Sequence, residues 1–466
     1  MISHSKIALL AMTLTCSVSS QALAHNPHEN AEEIEALKTE LLRLTQRLQQ
    51  LEGSIAQNAE ATQAAQSTAD TAQTVAQSAA NTAEAATLAA NSAPQINLKA
   101  APEIKDDRGF TFKPRGRVNI DVGYVGAPGS TGADSGFDAE ARRVRLGASG
   151  KIPGGFGYKV EADFAENDVA LTDATITYKD DSLTLTAGQH NTFQGLEELS
   201  SSLHTSFIER SAFTDAFGFE RRVGFSAQYT ADNLLIQGGI FSDNSEDLPN
   251  GNTSFDGRVV YAPKSGSTQL HFGGSVHYND LGTGSTVRYR QRPLVHFVDN
   301  RFVNTDNFSA NSELGIGLEA AAISGPFHVS LEGYRQSVSR PGALANPSFL
   351  GASAEVGYFL TQGDSRGYKD SAGTFDRVKP NKPFGEGGKG AIQLNLRYDH
   401  LDLNSQGIIG GTQNSVQASL IWTFTDYTRI LLNYGLLSYD DAAFPTNTGD
   451  TNYNVHVFGA RAQVDF

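Results

Sequence analysis

Two different spacings of apolar residues divide this chain. Between residues 34 and 55 the apolar positions lie three and four residues apart, which is the a/d spacing of a coiled-coil helix. From Arg117 onward, apolar and polar residues alternate with a period of two, which is typical of β-strands. The pattern therefore predicts a helical N-terminal segment followed by an all-β domain.

The helical segment has a leucine-rich core that later becomes alanine-rich. Its predicted coiled-coil core residues are Ile34, Leu37, Leu41, Leu44, Leu48, Leu51 and Ile55. The same register continues through alanines from Ala65 to Ala93. Sixty helical residues would span roughly 90 Å, and a single alanine-faced helix buries too little surface to be stable alone. We expect residues 25–94 to form an oligomeric rod, with a disordered tether after a short leucine zipper as the alternative.

The β region contains sixteen alternating segments, many of about ten residues, the length with which a tilted strand crosses a bilayer. One face is aliphatic or aromatic, while the other carries arginine, glutamate and aspartate. A soluble sandwich would not usually keep this division through so many strands, whereas a barrel with a wet lumen requires it. We predict an all-β transmembrane barrel of about 16 antiparallel strands over residues 116–466, after a linker at 95–115. The predicted strands begin near residues 117, 141, 157, 172, 182, 222, 233, 255, 268, 313, 326, 351, 390, 414, 428 and 453.

Both ends of the sequence favour export to an outer membrane. Lys6, a short apolar core and a small-residue cleavage site predict a secretory signal peptide over residues 1–24. Cys16, the one cysteine, lies inside it, so the mature chain is expected to lack disulfides and cysteine-ligated metals. The residues before Cys16 fit a lipidation motif poorly. The aromatic Phe466 closes a strand with one apolar face, as in many bacterial outer-membrane barrels, so we expect this location, with the rod in the periplasm.

Charge and motifs exclude several function classes. The formal net charge of −15 argues against a nucleic-acid partner. No glycine-rich phosphate loop lies between a strand and a helix, and no HExxH or Ser/His/Asp arrangement is present, so we predict no cofactor and no catalytic site. A metal site at His271 and His277 is an alternative, but two polar lumen residues are the commoner arrangement.

Three long connections interrupt the strand pattern, at about residues 190–221, 279–312 and 361–389. The third falls where the strand count expects a short turn, so it is either a miscounted strand pair or a segment folded into the lumen. Rings of arginine and lysine select anions. The candidate anion path comprises Arg143, Arg145, Arg210, Arg221, Arg222, Arg288, Arg290, Arg292, Arg377 and Lys379. Carboxylates lie beside many of them, so a solvated, acid-paired loop charge is the alternative for each.

Several sequence blocks resemble the phosphate-selective porin O/P family: residues 196–222, 358–380, 396–414 and 461–466. The resemblance implies a trimeric, sixteen-stranded outer-membrane porin. It also implies that two loops and one periplasmic turn fold into the lumen, with arginine and lysine clusters that guide phosphate. This chain departs from the family pattern in its acidity. It also departs in the carboxylates that lie beside the arginines of the first long connection.

The resemblance and the charged loops predict a passive channel for small anionic solutes such as phosphate, assembled with itself as a homotrimer in outer-membrane lipid. Two alternatives stay open. One is a general or other-solute porin with weak selectivity. The other is a structural tether, in which the rod joins the outer membrane to the cell wall with peptidoglycan as its partner.

Overall fold

The computed structural model describes residues 27–90, 97–99, 101–106, 108–165 and 169–466. Side chains are described for residues 31–85 and for the last three ranges. The predicted signal peptide, including Cys16, lies outside the described residues. The chain divides into two compact units, Met1–Ser92 and Ala93–Phe466.

The first unit contains one long helix, α1, which spans Pro27–Ala90 without interruption. The predicted core side chains from Ile34 to Ile55 are 52% to 66% exposed. Helix α1 thus presents an exposed apolar stripe. The predicted helix is confirmed. The coiled coil, which requires further chains, stays a prediction. None of the described helices combines the length and apolarity needed to cross a membrane.

The second unit is a closed antiparallel barrel of sixteen strands, because the last strand pairs with the first. In chain order, strands β1 to β16 are Thr111–Gly126, Gly136–Ile152, Phe156–Asp163, Ala170–Asp180, Leu183–Asn191, Arg221–Ala231, Leu234–Phe241, Thr253–Tyr261, Thr268–Asp280, Ser312–Ser324, Phe327–Ser339, Ser348–Phe359, Ala391–Ser405, Ile408–Thr425, Thr428–Asp440 and Tyr453–Asp465. All the predicted strands are present. Strands β1, β2 and β14 begin several residues earlier than predicted.

The early start of β1 has a physical explanation. Pro114 lies in β1 opposite Ala148 of β2, but the pairing of β1 with β16 starts only at Arg117. A proline has no N–H to donate, so it is tolerated where a strand has a neighbour on one side only. Pro114, which we expected to lie in the linker at 95–115, therefore lies inside the strand.

Short elements lie outside the barrel wall. Strands Asn97–Lys99 and Ala101–Lys105 form a hairpin that pairs with the start of β1, within the predicted linker. The others are the strands Lys264–Ser265, Thr286–Val287, Arg290–Gln291, Val303–Asn304, Phe308–Ser309, Gly367–Lys369 and Thr374–Asp376, the helices α2 (Leu196–Leu199) and α3 (Ala212–Ala216), and a 3-10 turn at Gly129–Thr131.

The two faces of the wall have opposite character. Outward side chains such as Ile120, Leu318 and Val416 are apolar and exposed, whereas inward ones such as Arg258 and Gln413 are polar and buried. This is the reverse of a water-soluble protein, and it is stable when lipid surrounds the wall. The period-two pattern of the sequence is therefore realised as an apolar outside and a polar inside.

The three predicted long connections are present. Residues 192–220 follow β5 and residues 281–311 follow β9, at one end of the barrel. Residues 360–390 follow β12 at the other end, where β1 begins and where tight turns follow β2, β4, β6, β10 and β14. This third segment contains only a hairpin of three-residue strands, so the miscounted-strand alternative is wrong.

An apolar cluster fills part of the lumen near the end where β1 finishes. It joins α3 and the 281–311 segment to the inner wall. Phe219 packs edge-on against Tyr334 of β11, with ring centroids 4.7 Å apart. The main members are Phe213, Phe217, Phe219, Tyr289, Phe302, Tyr334, Phe349, Leu401 and Tyr439. The cluster narrows the barrel from one side.

Candidate functional site

Residues 192–220, called here the first inner loop, cross the lumen. The loop leaves β5 and returns to β6, yet it contacts strands on the opposite wall. The backbone N–H groups of Leu196 and Glu197 donate to Glu332 of β11 at 2.7 and 2.9 Å. The N–H of Ala212, the first residue of α3, donates to Asp399 of β13 at 2.7 Å.

Three inward arginines of the far wall, Arg397, Arg429 and Arg461, hold this loop in place. Arg461 is bidentate to Asp121 of β1, at 2.6 Å for both bonds, and donates to the carbonyl of Ile208 at 2.8 Å. Arg429 and Arg397 donate to loop carbonyls at 2.9 to 3.1 Å. Such charge-assisted bonds are roughly twice as strong as neutral ones. These arginines therefore serve as anchors.

Residues 360–390, called here the inner turn, also fold into the lumen. Arg258 of β8 donates to the carbonyls of Ala372 and Gly373 at 3.2 and 2.7 Å. Arg366 of the turn donates to Ser206 of the first inner loop at 2.7 Å. The inner turn and the first inner loop thus form one connected structure inside the barrel.

The space left open is a cavity of about 640 Å³ beside β1 to β6. We call this side of the lumen the open lane. Its basic lining residues are Arg115, Arg117, Arg142, Arg143, Arg145, Lys159, Arg210, Arg221 and Arg292, and its acidic ones are Asp173, Glu198, Glu209, Asp215, Glu220 and Glu246.

The structure brings half of the predicted anion-path residues together here: Arg143, Arg145, Arg210, Arg221 and Arg292. The other predicted residues do not line this cavity. Arg222 pairs with Asp243 and Glu220, Arg288 with Asp306, and Arg377 with Asp465, while Arg290 and Lys379 are exposed on the 281–311 segment and the inner turn.

The lining cations differ in how fully they are paired. Arg145 binds Asp163 at 2.7 Å, and Lys159 binds Asp173 at 2.8 Å. Arg143 is 6% exposed, yet it has neither a hydrogen bond nor an ion pair among the described residues, and its Nη1 is buried without a partner. A buried guanidinium without such a partner is energetically costly.

Arg142 is a lining residue that the sequence pattern missed. Strict alternation puts it on the lipid face with Val144. Asn119 of β1 pairs with Arg143, while the next residue, Ile120, pairs with Ala141, so Arg142 is the extra residue of a β-bulge. The bulge turns its guanidinium inward to Glu209 at 3.0 Å. An arginine on the lipid face is destabilising, which was the signal available in the sequence.

Three glutamates of the first inner loop fall into two electrostatic classes. Burial raises the pKa of Glu198, and burial also raises the pKa of Glu220 although Arg222 opposes it. For Glu209, burial acts upward, but Arg142, Arg143 and Arg461 outweigh it and hold the pKa well below its usual value. Glu209 is therefore a fixed negative charge, while the other two take up protons more readily.

The two histidines of the alternative metal site have separate partners. His271 contacts the hydroxyl of Tyr368 through Nδ1 at 2.6 Å, and His277 contacts Asp256 at 2.8 Å. Within the described ranges, no group of three or more histidine, cysteine or acidic residues has an arrangement that could hold a metal ion.

Comparison with known proteins decides the family. The family described as phosphate-selective porin O and P matches residues 112–466. The chain belongs to this family. The predicted resemblance is thereby confirmed, and the family membership supports an outer-membrane porin.

Individual relatives agree with this assignment. An uncharacterized protein of Caulobacter vibrioides is 43% identical over 484 residues, covering 99% of this chain and 96% of that protein. Porin O of Pseudomonas aeruginosa is 27% identical over 342 residues, covering 66% of this chain and 76% of that protein. OmpT of Vibrio cholerae shares the fold at 11% identity, with a TM-score of 0.52 over 78% of this chain and all of OmpT, and its trimer form has a TM-score of 0.50 over 77% and 99%.

Proposed function

We propose that this porin is a diffusion channel for small anionic solutes, phosphate among them, and that the open lane is its narrowest passage. The observation that carries the proposal is Arg143, which is buried, has no ion pair or hydrogen bond among the described residues, and lies on a cavity wall beside Arg117, Arg142 and Arg145. A phosphate oxygen would supply the partner that the protein does not.

Local charge supports anion passage despite the acidic chain. Basic side chains outnumber acidic ones in the cavity lining. Charges that line a narrow passage with low-dielectric walls control its ion selectivity more than distant surface charges, which salt screens within about 8 Å at physiological ionic strength. The net charge of −15 is therefore a poor guide to selectivity.

The test is single-channel recording of the purified protein in a planar bilayer under a KCl gradient, followed by titration with phosphate. We expect an anion-selective reversal potential and a chloride current that phosphate blocks. The double variant Arg143→Gln/Arg145→Gln should lose much of both effects. The matched control is Arg288→Gln/Arg290→Gln, which removes the same charge from exposed positions outside the cavity and should leave both effects in place.

Other outcomes distinguish the alternatives. Cation-selective or unselective current would overturn the proposal in favour of a general porin. Equal losses in the two double variants would mean that bulk charge, not the open lane, sets selectivity.

We propose further that the porin is a homotrimer and that α1 forms its coiled-coil periplasmic rod. The exposed stripe from Ile34 to Ile55 supports this, because an isolated helix with such a stripe is marginal in water. The predicted mature chain lacks cysteine, so Leu41→Cys should cross-link full-length protomers on oxidation. Gln46→Cys, on the opposite helix face, is the control and should cross-link far less.

A tether to the cell wall is the second candidate for the rod. At 1.5 Å per residue, α1 is roughly 95 Å long, which is enough to reach well away from the membrane. Deletion of residues 34–93 should weaken peptidoglycan pull-down and envelope integrity if the tether exists. Unchanged envelope integrity, together with normal conductance, would leave the rod only its part in assembly.

A further inference from the structure

We propose that the open lane prefers small anions that also carry an ammonium group over anions of the same size that lack one. This inference rests on the anion channel proposed above and narrows its solute class. The observation behind it is that charged side chains of both signs, without ion pairs among the described residues, line one cavity.

The positive element is Arg143 on β2. Its neighbours Arg142 and Arg145 already hold carboxylates, at 3.0 and 2.7 Å, whereas Arg143 holds none among the described residues. The residue is more than nine-tenths buried, so few water molecules can serve as acceptors for its guanidinium. Arg143 therefore binds the anionic end of the solute.

The negative element comes from two connections. Asp215 of the first inner loop accepts the backbone N–H of Arg292 at 2.8 Å, but it has no ion pair in the described part of the chain. Glu246, in the connection after β7, is exposed and also lacks an ion pair there. Both carboxylates line the same cavity as Arg143.

An anion without an ammonium group matches the positive charge of this lining but not its negative charges. It neutralises Arg143 but approaches the unpaired carboxylates, which repel it. A solute with an ammonium group a few bonds from its anionic group satisfies both signs. The cavity volume of about 640 Å³ lies within the range of small-molecule sites, so such a solute fits with its hydration water.

The probe pair is O-phosphoethanolamine and ethyl phosphate, which share a phosphate ester on a two-carbon chain and differ in the ammonium group. Each is titrated against the chloride current of the full-length porin in a planar bilayer at pH 8. We expect O-phosphoethanolamine to block at a concentration about threefold to fivefold lower, the size of one solvent-accessible ion pair.

Substitutions in the cavity lining test which residues cause the preference for the ammonium-bearing probe. Asp215→Asn/Glu246→Gln should abolish the difference between the probes. The control Asp450→Asn, an exposed acid on the β15–β16 connection, should preserve it. Arg143→Gln should weaken block by both probes by a similar factor, since it removes the site of the group they share.

The outcomes separate this inference from the function on which it rests. Equal block by both probes, with phosphate still blocking, overturns the ammonium preference and leaves the anion channel standing. Absence of block by phosphate and by both probes overturns both. A preference that survives Asp215→Asn/Glu246→Gln overturns the assignment of these two carboxylates. Each variant is scored only if its folded-barrel band in semi-native gels matches that of the unmodified porin, which excludes misfolded protein.

Discussion

The two sides of the lumen use the same kind of residue for opposite purposes. On the filled side, formed by β8 to β16, inward polar residues such as Arg258 and Asp399 are almost fully buried and bond to the inner loop and turn. In the open lane, inward residues such as Arg117 and Asp173 are also almost fully buried, but Arg143 has no hydrogen bond or ion pair among the described residues.

The contrast is sharpest between Arg461 and Arg143. Both are inward arginines, exposed by only 1% and 6%. Arg461 has four donated bonds to protein oxygens, whereas Arg143 has none among the described residues. Burial alone therefore does not separate an anchoring arginine from one that is available to a solute. The two kinds of arginine differ instead in how many of their guanidinium N–H groups have protein acceptors.

The largest expected effect is from Arg461→Gln. The substitution leaves the buried Asp121 carboxylate without its bidentate partner and frees the carbonyl of Ile208. Removing one member of a buried ion pair costs about 3 to 5 kcal/mol. We expect a large loss in stability, measured by the temperature at which the folded-barrel band is lost in semi-native gels. Single-channel conductance should rise, because the first inner loop is released.

The control for Arg461→Gln is Arg290→Gln, which removes an exposed arginine outside the cavity. It should change the unfolding temperature little. An Arg461→Gln barrel with normal stability and conductance would show that the first inner loop does not depend on this anchor.

The second prediction is a variant that gains stability. Arg143→Gln removes a buried guanidinium that has no hydrogen bond or ion pair among the described residues. We expect stability to rise by about 1 kcal/mol, since a buried charge without such a direct partner opposes folding, while anion selectivity falls. The measurements are the same gel transition and the reversal potential. A loss of stability here would mean that Arg143 acts as an anchor and would remove the distinction between the two sides.

Much of the barrel could be predicted from the sequence, because the period-two pattern is a local consequence of lipid outside and water inside. The sixteen strands and three long connections follow from it. The sequence could not predict which arginines bind the inner loop and turn and which line the cavity. Arg210 and Arg377 both lie in predicted long connections, but only Arg210 lines the cavity. That outcome depends on where the inner loop and turn cross the lumen, and these contacts join residues far apart in the sequence.

Arg142 gives the third prediction. As the extra residue of a β-bulge, it can be deleted without reversing the alternation of β2. We expect the deletion variant to assemble, with a loss of about 0.5 to 1 kcal/mol for its partly exposed ion pair with Glu209. Deletion of Arg145, which lies in regular pairing opposite Arg117, should instead misplace one part of the strand and prevent assembly. Equal assembly of both deletion variants would contradict the bulge.

The smallest effect concerns pH. Burial raises the pKa of Glu198 and of Glu220, so these carboxylates take up protons before fully exposed glutamates as the pH falls. Each proton removes a negative charge from the open lane, and anion selectivity should therefore rise between pH 7.5 and pH 5. His190 and His296 also line the cavity. Glu198→Gln isolates the carboxylate contribution: it should be more anion-selective than the unmodified porin at pH 7.5 and change less on acidification. A reversal potential that moves toward cation selectivity at low pH would mean that groups outside the open lane control permeation.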